Sequence, residues 1–203
     1  MLLQRLKALQ QEHLSMSEEI NSKKLEEESN AATSSSSTSK TTANIEGTLK
    51  RHTASLYPPT IVTKQMLILQ YLTPMGEYQE FLPFIFEQNA IDIIFGFLDN
   101  ESLINSNIIF EALKYVASLL CHKKFCLEFL NKNGLQKILK LPKLSTISTG
   151  TAIALYYIAY CEEAMERICS MQPELVSELI AYILGLLNCV HDSGNFLFIN
   201  YFL

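Results

Sequence analysis

The stretch FLPFIFEQNAIDIIFGF (81–97) lies over FCLEFLNKNGLQKILKL (125–141) at a shift of 44 residues, with Phe81 over Phe125, Ile91 over Leu135 and Phe97 over Leu141. The residues ahead of it keep the same register: Leu69 falls on Leu113, Tyr71 on Tyr115 and Leu72 on Val116. A fainter third copy, at a shift near 40, sets Met165 and Cys169 where Phe125 and Phe129 stand. Periods of about 40 to 47 residues with no strand-like alternation belong to armadillo and HEAT units of two or three helices each. The pattern predicts an all-α chain, an armadillo/HEAT-like helical-repeat solenoid over residues 56–194.

Local chemistry supports helices with sharp corners. Asn133-Gly134 after Lys132 supplies the left-handed position that ends one helix and starts another, which Asn and Gly adopt at least cost. Pro74, Pro142 and Pro173 are read as punctuating the remaining turns. The run from Ser106 to Cys121 carries an apolar stripe of Ile108, Ile109, Ala112, Val116, Leu119 and Leu120. Its opposite face presents Asn107, Glu111, Lys114 and Ser118. If the last helix of a repeat lines the concave groove, as is common in solenoids, this face is the expected partner contact.

Outside the repeats the chain divides by composition. Residues 29–44 hold ten Ser or Thr and no apolar side chain larger than Ala, too little to offset the entropy of ordering the backbone. A disordered Ser/Thr-rich linker over 29–55 follows. Ahead of it, positions 2, 6, 9, 13, 16, 20 and 23 alternate spacings of four and three, and five of the seven are apolar. Residues 1–28 are therefore an amphipathic helix, suited to docking or self-association, with His13 and Lys23 interrupting its seam. At the other end, seven of the last eight residues are apolar, and 195–203 are expected to be a divergent, adhesive tail.

Of 203 residues 48% are apolar, enough for a sizeable core, and the net charge is -5 with a pI near 5.4. That sign opposes contact with a nucleic acid backbone. Residues 1–56 carry seven charges of each sign, so the whole excess lies in the body, nine basic against fourteen acidic. Within the body His122, Lys123, Lys124, Lys132, Lys137, Lys140 and Lys143 form a basic stretch broken only by Glu128. Glu162, Glu163, Glu166, Glu174 and Glu178, relieved by Arg167, form an acidic one. Such a layout suits oriented docking of a charged partner, neighbouring repeats packed in register, or plainly solvated edges.

Charges follow Met1-Leu2-Leu3 too soon for a secretory signal. Leu144–Cys161 lacks charge but opens on hydroxyl residues, which disfavours a membrane span; a tail anchor over 179–203 stays a minor alternative, with Asp192 against it. Five cysteines suit reduced thiols better than a disulfide framework.

Residues for catalysis do not converge. No G-x-G or GK[ST] occurs, and His191-Asp192-Ser193 is contiguous rather than a dispersed triad. Cys121-His122 with Cys126, and Cys189 with His191, lack the close ligand pair of a structural zinc site, so core packing is the preferred role for the cysteines. Tyr156, Tyr157 and Tyr160 resemble an aromatic box, though helix packing with hydroxyls at the rim accounts for them too. Neither cofactor nor metal is expected.

LILQYLTPMGEYQEFLPFIFEQ (67–88), FEALKYVASLLCHKKFCLEFLNKNGLQKILKLP (110–142) and TGTAIALYYIAYCEEAMERIC (149–169), with Leu56-Tyr57-Pro58, resemble the helical-repeat region of the Vpr-binding protein family, Cullin 4 associated substrate receptors. The resemblance covers nearly all of 56–191, and LLQRLKALQQ (2–11) is similar to the helix ahead of a long polar linker there. It implies a non-enzymatic scaffold of a Cullin 4 RING ubiquitin ligase, nuclear and cytoplasmic, with protein partners and neither nucleic acid nor membrane. The family's LisH motif and WD-repeat propeller have no counterpart after Gly194, so a fragment is expected and docking to the ligase is open. A kinase activity proposed for the family finds no Gly-rich loop, H-R-D or D-F-G in these residues. The alternatives are a stand-alone helical-repeat adaptor and, less favoured, a kinase-like enzyme fragment. The expected partner surface is Asn107, Glu111, Lys114 and Ser118 with the edge Lys137, Lys140 and Lys143.

Overall fold

A computed structural model describes residues 1–30, 59–99 and 105–192, with the side chains of 20–30 and 187–192 excepted. The described residues form helices and no strands: α1 (Leu2–Asn30), α2 (Ile61–Gly76), a 3-10 turn (Gln79–Phe81), α3 (Leu82–Glu87), α4 (Ala90–Leu98), α5 (Ser106–Leu120), α6 (Lys123–Asn131), α7 (Gly134–Leu139), α8 (Ser145–Tyr160), α9 (Glu162–Cys169) and α10 (Pro173–Asp192).

From α2 onward they fall into three triplets. The first helices α2, α5 and α8 pack side by side, with α5 between the other two. The second helices form another row, α6 against α9, with Phe86 of α3 edge-on to Phe125 of α6 at 5.5 Å. The third helices α4, α7 and α10 make the last. One apolar core runs through all three triplets and includes Leu3 and Leu6 of α1. The all-α helical-repeat architecture read from the 44-residue shift is therefore the observed one.

The corner between second and third helices shows why the shift is legible. Asn89 and Asn133, 44 residues apart, are the two described non-glycine residues with positive φ, at 50° and 59°. Each donates its N–H three residues back, Asn89 to Phe86 at 3.0 Å and Asn133 to Leu130 at 3.1 Å, and each precedes the helix it caps. Asn visits this left-handed well more cheaply than most side chains do. Gly134 follows because a Cβ there would meet the Phe129 ring at 2.5 Å.

Four expectations need correction. Pro74 does not punctuate a turn; it lies inside α2, two residues from the end, where only the last turn lacks an N–H. The third copy is offset by 39 residues rather than 40: Ala164 and Ile168 are the buried counterparts of Phe125 and Phe129, while Met165 and Cys169 are exposed. The capping bonds agree, His122 N–H to Leu119 and Cys161 N–H to Ile158. Phe81 is 40% exposed where Phe125 is 2%, because Phe125 meets Phe86 of the repeat before it, whereas the ring beside Phe81 is the exposed Tyr78 of its own triplet.

Lastly, α1 extends to Asn30 and docks on the body. Leu3, Leu6 and Leu9 are buried as α1 packs on α2 and α4, and the buried Gln10 amide donates to the Ile93 carbonyl at 3.4 Å. Leu2 and Met16 of the expected seam are exposed, so the helix spends much of its apolar face within the chain rather than offering it whole to a second copy. The linker expected over 29–55 and the tail 195–203 lie, but for residues 29 and 30, outside the described residues.

The Asn corner gives a test with opposite signs. Asn133→Gly should leave stability unchanged or slightly higher, whereas Asn133→Val should lower it by about 1–2 kcal/mol through the β-branched side chain at positive φ, read from urea denaturation midpoints.

Candidate interaction surface

Helix α5 decides where the expected surface lies. It is the first helix of its triplet, and eleven of its 15 residues are buried between α2 and α8. The face expected to contact a partner is split by this placement. Asn107 is exposed and Lys114 half-buried, but Glu111 is 6% and Ser118 4% exposed, so these two face the neighbouring helix instead of solvent. Glu111 accepts from the Gln70 amide of α2 at 3.1 Å and forms an ion pair with Lys114 Nζ at 2.7 Å. Ser118 donates to the Tyr115 carbonyl at 2.8 Å and sits where a Cβ on Gly76 would fall. Polar residues here mark an inter-repeat contact whose partners are themselves polar or lack a side chain.

The basic stretch is largely tied to the adjoining repeats. Lys123 pairs with Glu163, Lys132 with Asp92 at 2.8 Å and Glu128 at 3.2 Å, and Lys137 with Asp99 at 2.5 Å. Lys137 also lies over the Phe95 ring, Lys124 over Phe86 and Lys143 over Tyr182, at 4.9, 3.8 and 5.1 Å. Lys140 and Lys143 are exposed and Lys137 is half-buried. Of the alternatives for this layout, packing in register describes Lys123, Lys132 and Lys137. The hydrogen bond from Lys123 holds the Glu163 carboxyl below the usual range and raises the lysine in turn. Both groups are exposed, so the pair orients edges more than it stabilises them.

Beside it, at the ends of α5 and α8, opens a cleft of about 580 Å³ lined in part by Cys121, Lys123, Tyr156, Tyr157, Tyr160 and Glu162. Tyr156 meets Tyr157 and Tyr160 with ring centres 5.6 and 5.4 Å apart. The tyrosines thus pack on one another along α8, with Tyr160 at the rim.

The cysteines divide. Cys126 is fully buried and burial pushes its thiol up to about 12. Cys121 and Cys169 are exposed rather than in the core, although Cys121 too is raised by burial. His122 bonds the Gly76 carbonyl at 2.9 Å and so ties the corner after α5 to the end of α2. Among the described residues no group of three or more His, Cys, Asp and Glu could hold a metal ion. Cys189 and His191 fall outside the described side chains. No single helix among the described residues is long and apolar enough to cross a membrane; the bent pair 79–87 and 90–98 has the composition, but α4 is largely core.

What the sequence could not reveal is a second exposed surface, on the first triplet. Leu67, Tyr71, Tyr78, Phe81 and Phe84 are between 40% and 67% exposed. The 44-residue register holds part of the signal for it, since it pairs Leu67, Tyr71 and Phe81 with Glu111, Tyr115 and Phe125, all covered in the next repeat.

Two measurements follow. Glu111→Lys should cost about 3 kcal/mol by urea denaturation, the scale of a broken buried pair, while Lys140→Glu should stay within about 0.5 kcal/mol. Alkylation at pH 8, followed by peptide mass spectrometry, should modify Cys169 first and Cys121 next. Cys126 should react only in denaturant, since a thiol with a pKa near 12 is about one part in ten thousand thiolate at that pH.

Comparison with known proteins agrees with this architecture. The family model described as the Mahjong helical domain matches residues 1–172. Protein mahjong of Drosophila melanogaster is 54% identical over 145 residues, 71% of this chain and 9% of the relative. A protein named DDB1- and CUL4-associated factor homolog 1 is 47% identical over 139 residues in Caenorhabditis elegans, 68% of this chain and 8% of the relative. Its Arabidopsis thaliana namesake is 26% identical over 131 residues, 62% of this chain and 7% of that protein. The chain thus spans less than a tenth of the length of these relatives, and over that span it belongs to the Mahjong helical domain family, in keeping with its resemblance to the Vpr-binding substrate receptors.

Proposed function

We propose that this chain is a non-enzymatic protein-interaction scaffold, part of a substrate receptor serving a Cullin 4 RING ubiquitin ligase in protein ubiquitination. The observation that carries the reading is a stack of three-helix repeats whose sequence is shared with proteins named for association with DDB1 and CUL4. Each repeat touches mainly its neighbours, so the stack offers long surfaces rather than a closed pocket, which suits gripping a folded protein. Its partners are proteins, ligase components or substrates, met in the nucleus and cytoplasm. A chain with pI near 5.4 has little to offer a phosphate backbone. A stand-alone adaptor is the second reading, because the shared stretch is only 9% of the fly relative and any ligase-docking residues beyond it are not compared.

Deleting the matched stretch from the Caenorhabditis elegans relative, and then grafting residues of this chain in its place, tests the proposal. The deletion should lower ubiquitylation of the receptor's clients at least about threefold while DDB1 and CUL4 still co-precipitate, and the graft should restore it. A deletion form that keeps its full set of ubiquitylated clients would sink the receptor reading in favour of the stand-alone adaptor. Stoichiometric ATP binding by the purified chain would instead favour an enzyme.

A further inference from the structure

Three positions compare the stacking face of each triplet. Leu67, Glu111 and Gly150 correspond, as do Tyr71, Tyr115 and Ala154, and Phe81, Phe125 and Ala164. In the second and third triplets all six residues are buried. A helix of the triplet before covers them: Gln70 of α2 reaches Glu111, and a Cβ on Gly150 would sit 2.9 Å from Leu113 of α5. In the first triplet Leu67 is 56%, Tyr71 59% and Phe81 40% exposed. Phe84 at 67% and Tyr78 at 59% extend the patch, with the Tyr78 and Phe81 rings edge to face at 6.5 Å. Helix α1 packs on α2 and α4 but leaves these side chains open. Leu67, Tyr71 and Phe81 form a repeat-stacking face of the kind that the other two triplets bury, and Tyr78 and Phe84, whose counterparts His122 and Glu128 are only half-buried, widen it.

We infer that this face docks an amphipathic helix of a partner protein, one that carries an aliphatic stripe flanked by lysine or arginine. The helical form follows from what covers the equivalent positions, which are helices in both later triplets. The basic flank follows from the rim. Glu77, Glu80 and Glu87 are exposed beside Tyr78, Phe81 and Phe84, and Lys64 is the one basic residue between 59 and 99. The same acidic rim disfavours a second copy, which would oppose carboxylate to carboxylate, and an anionic lipid surface. Exposed aromatics surrounded by charge supply both anchor and orientation for such a helix.

The inference rests on the scaffold reading and gives it a surface, but its experiment is a binary binding measurement on the purified full chain, so the two can fail separately. The probe is a synthetic peptide of about 20 residues, long enough to hold a helix, with leucines in an i, i+3, i+4, i+7 stripe and flanking lysines. A twin peptide carries glutamate for lysine. By fluorescence anisotropy the lysine peptide should bind at least about tenfold tighter than its twin. Leu67→Ser with Phe84→Ser should weaken it at least about tenfold, with the helical circular dichroism unchanged since both side chains are exposed. Glu80→Lys with Glu87→Lys should reverse the preference between peptides, whereas Glu166→Lys with Glu174→Lys, an equal change of net charge elsewhere, should alter it less than about twofold. Equal binding of the two peptides, or indifference to the Leu67 and Phe84 changes, overturns the proposal. So does a dimer by sedimentation that Phe84→Ser abolishes, which assigns the face to a second copy. Flotation with phosphatidylcholine vesicles that the same change abolishes assigns it to lipid, with the same consequence.

Discussion

The burial of α5 between α2 and α8 is the contact on which the other two rows depend. Nothing along this helix except its start and Lys114 is left to solvent on both flanks, and the side chains that face its neighbours set the distance between triplets. Where α5 meets α2, Glu111 and Gln70 share a hydrogen bond and Gly76 makes room for Ser118. Where it meets α8, Gly150 admits Leu113 and Phe110. Interiors packed to crystal-like density tolerate little change in these spacings. The second and third rows then follow from short corners, since an Asn in the left-handed region joins α3 to α4 and α6 to α7. A nearest-neighbour stack of this kind is only as stable as its interfaces, and a triplet without a neighbour has none on one side.

The N-terminal helix answers part of that deficit. By placing Leu3, Leu6 and Leu9 against α2 and α4 and sealing the contact with Gln10 on the Ile93 carbonyl, α1 covers apolar surface of the first triplet while leaving Leu67, Tyr71 and Phe81 open. Its apolar positions look like a heptad seam because any helix that buries one narrow stripe shows that spacing, whether the partner is another copy or its own body. Periodicity reports that a stripe is buried; it does not report against what. Leu3, which falls outside the seam, and Leu2, which falls within it, exchange roles because the body presents a broader surface than a single partner helix.

The same distinction separates what was legible from what was not. The 44-residue shift could be read because large apolar side chains recur at matching corners and an Asn recurs at the same left-handed position. The third triplet blurred because Ala164 stands where Phe125 and Phe81 do, and the more apolar-looking Met165 drew the register one residue too far. The polar face of α5 misled for a deeper reason. A carboxylate on a helix is normally a sign of water, but Glu111 meets an amide and an ammonium supplied by Gln70 and Lys114, and a buried polar group with such partners is no anomaly. Helical spacing alone pairs Glu111 with Lys114, three residues on, but not with Gln70, 41 residues before it, and it is this second partner that draws the carboxylate inward.

Charge placement carries the comparison one step further. Lys123 reaches Glu163, Lys132 reaches Asp92 and Lys137 reaches Asp99, at sequence separations of 40, 40 and 38 residues. Each is close to the repeat length, so the ion pairs report the stacking as faithfully as the apolar residues do. Exposed pairs of this kind add little stability singly, yet a stack shifted by one helical turn would separate all three and oppose lysines to no acid. They therefore act on register more than on strength. It follows that a basic run read along the chain is not a basic patch in space: three of its lysines are already neutralised from the adjoining triplets. The remaining acidic residues gather instead at the two outer triplets, Glu77, Glu80 and Glu87 on the first with a single lysine near them in sequence, and Glu162, Glu166, Glu174 and Glu178 on the third with Arg167. A net charge of -5 distributed in this way leaves an excess of acid on the outward-facing aromatic end and on the third triplet, and not in the lysine-rich middle.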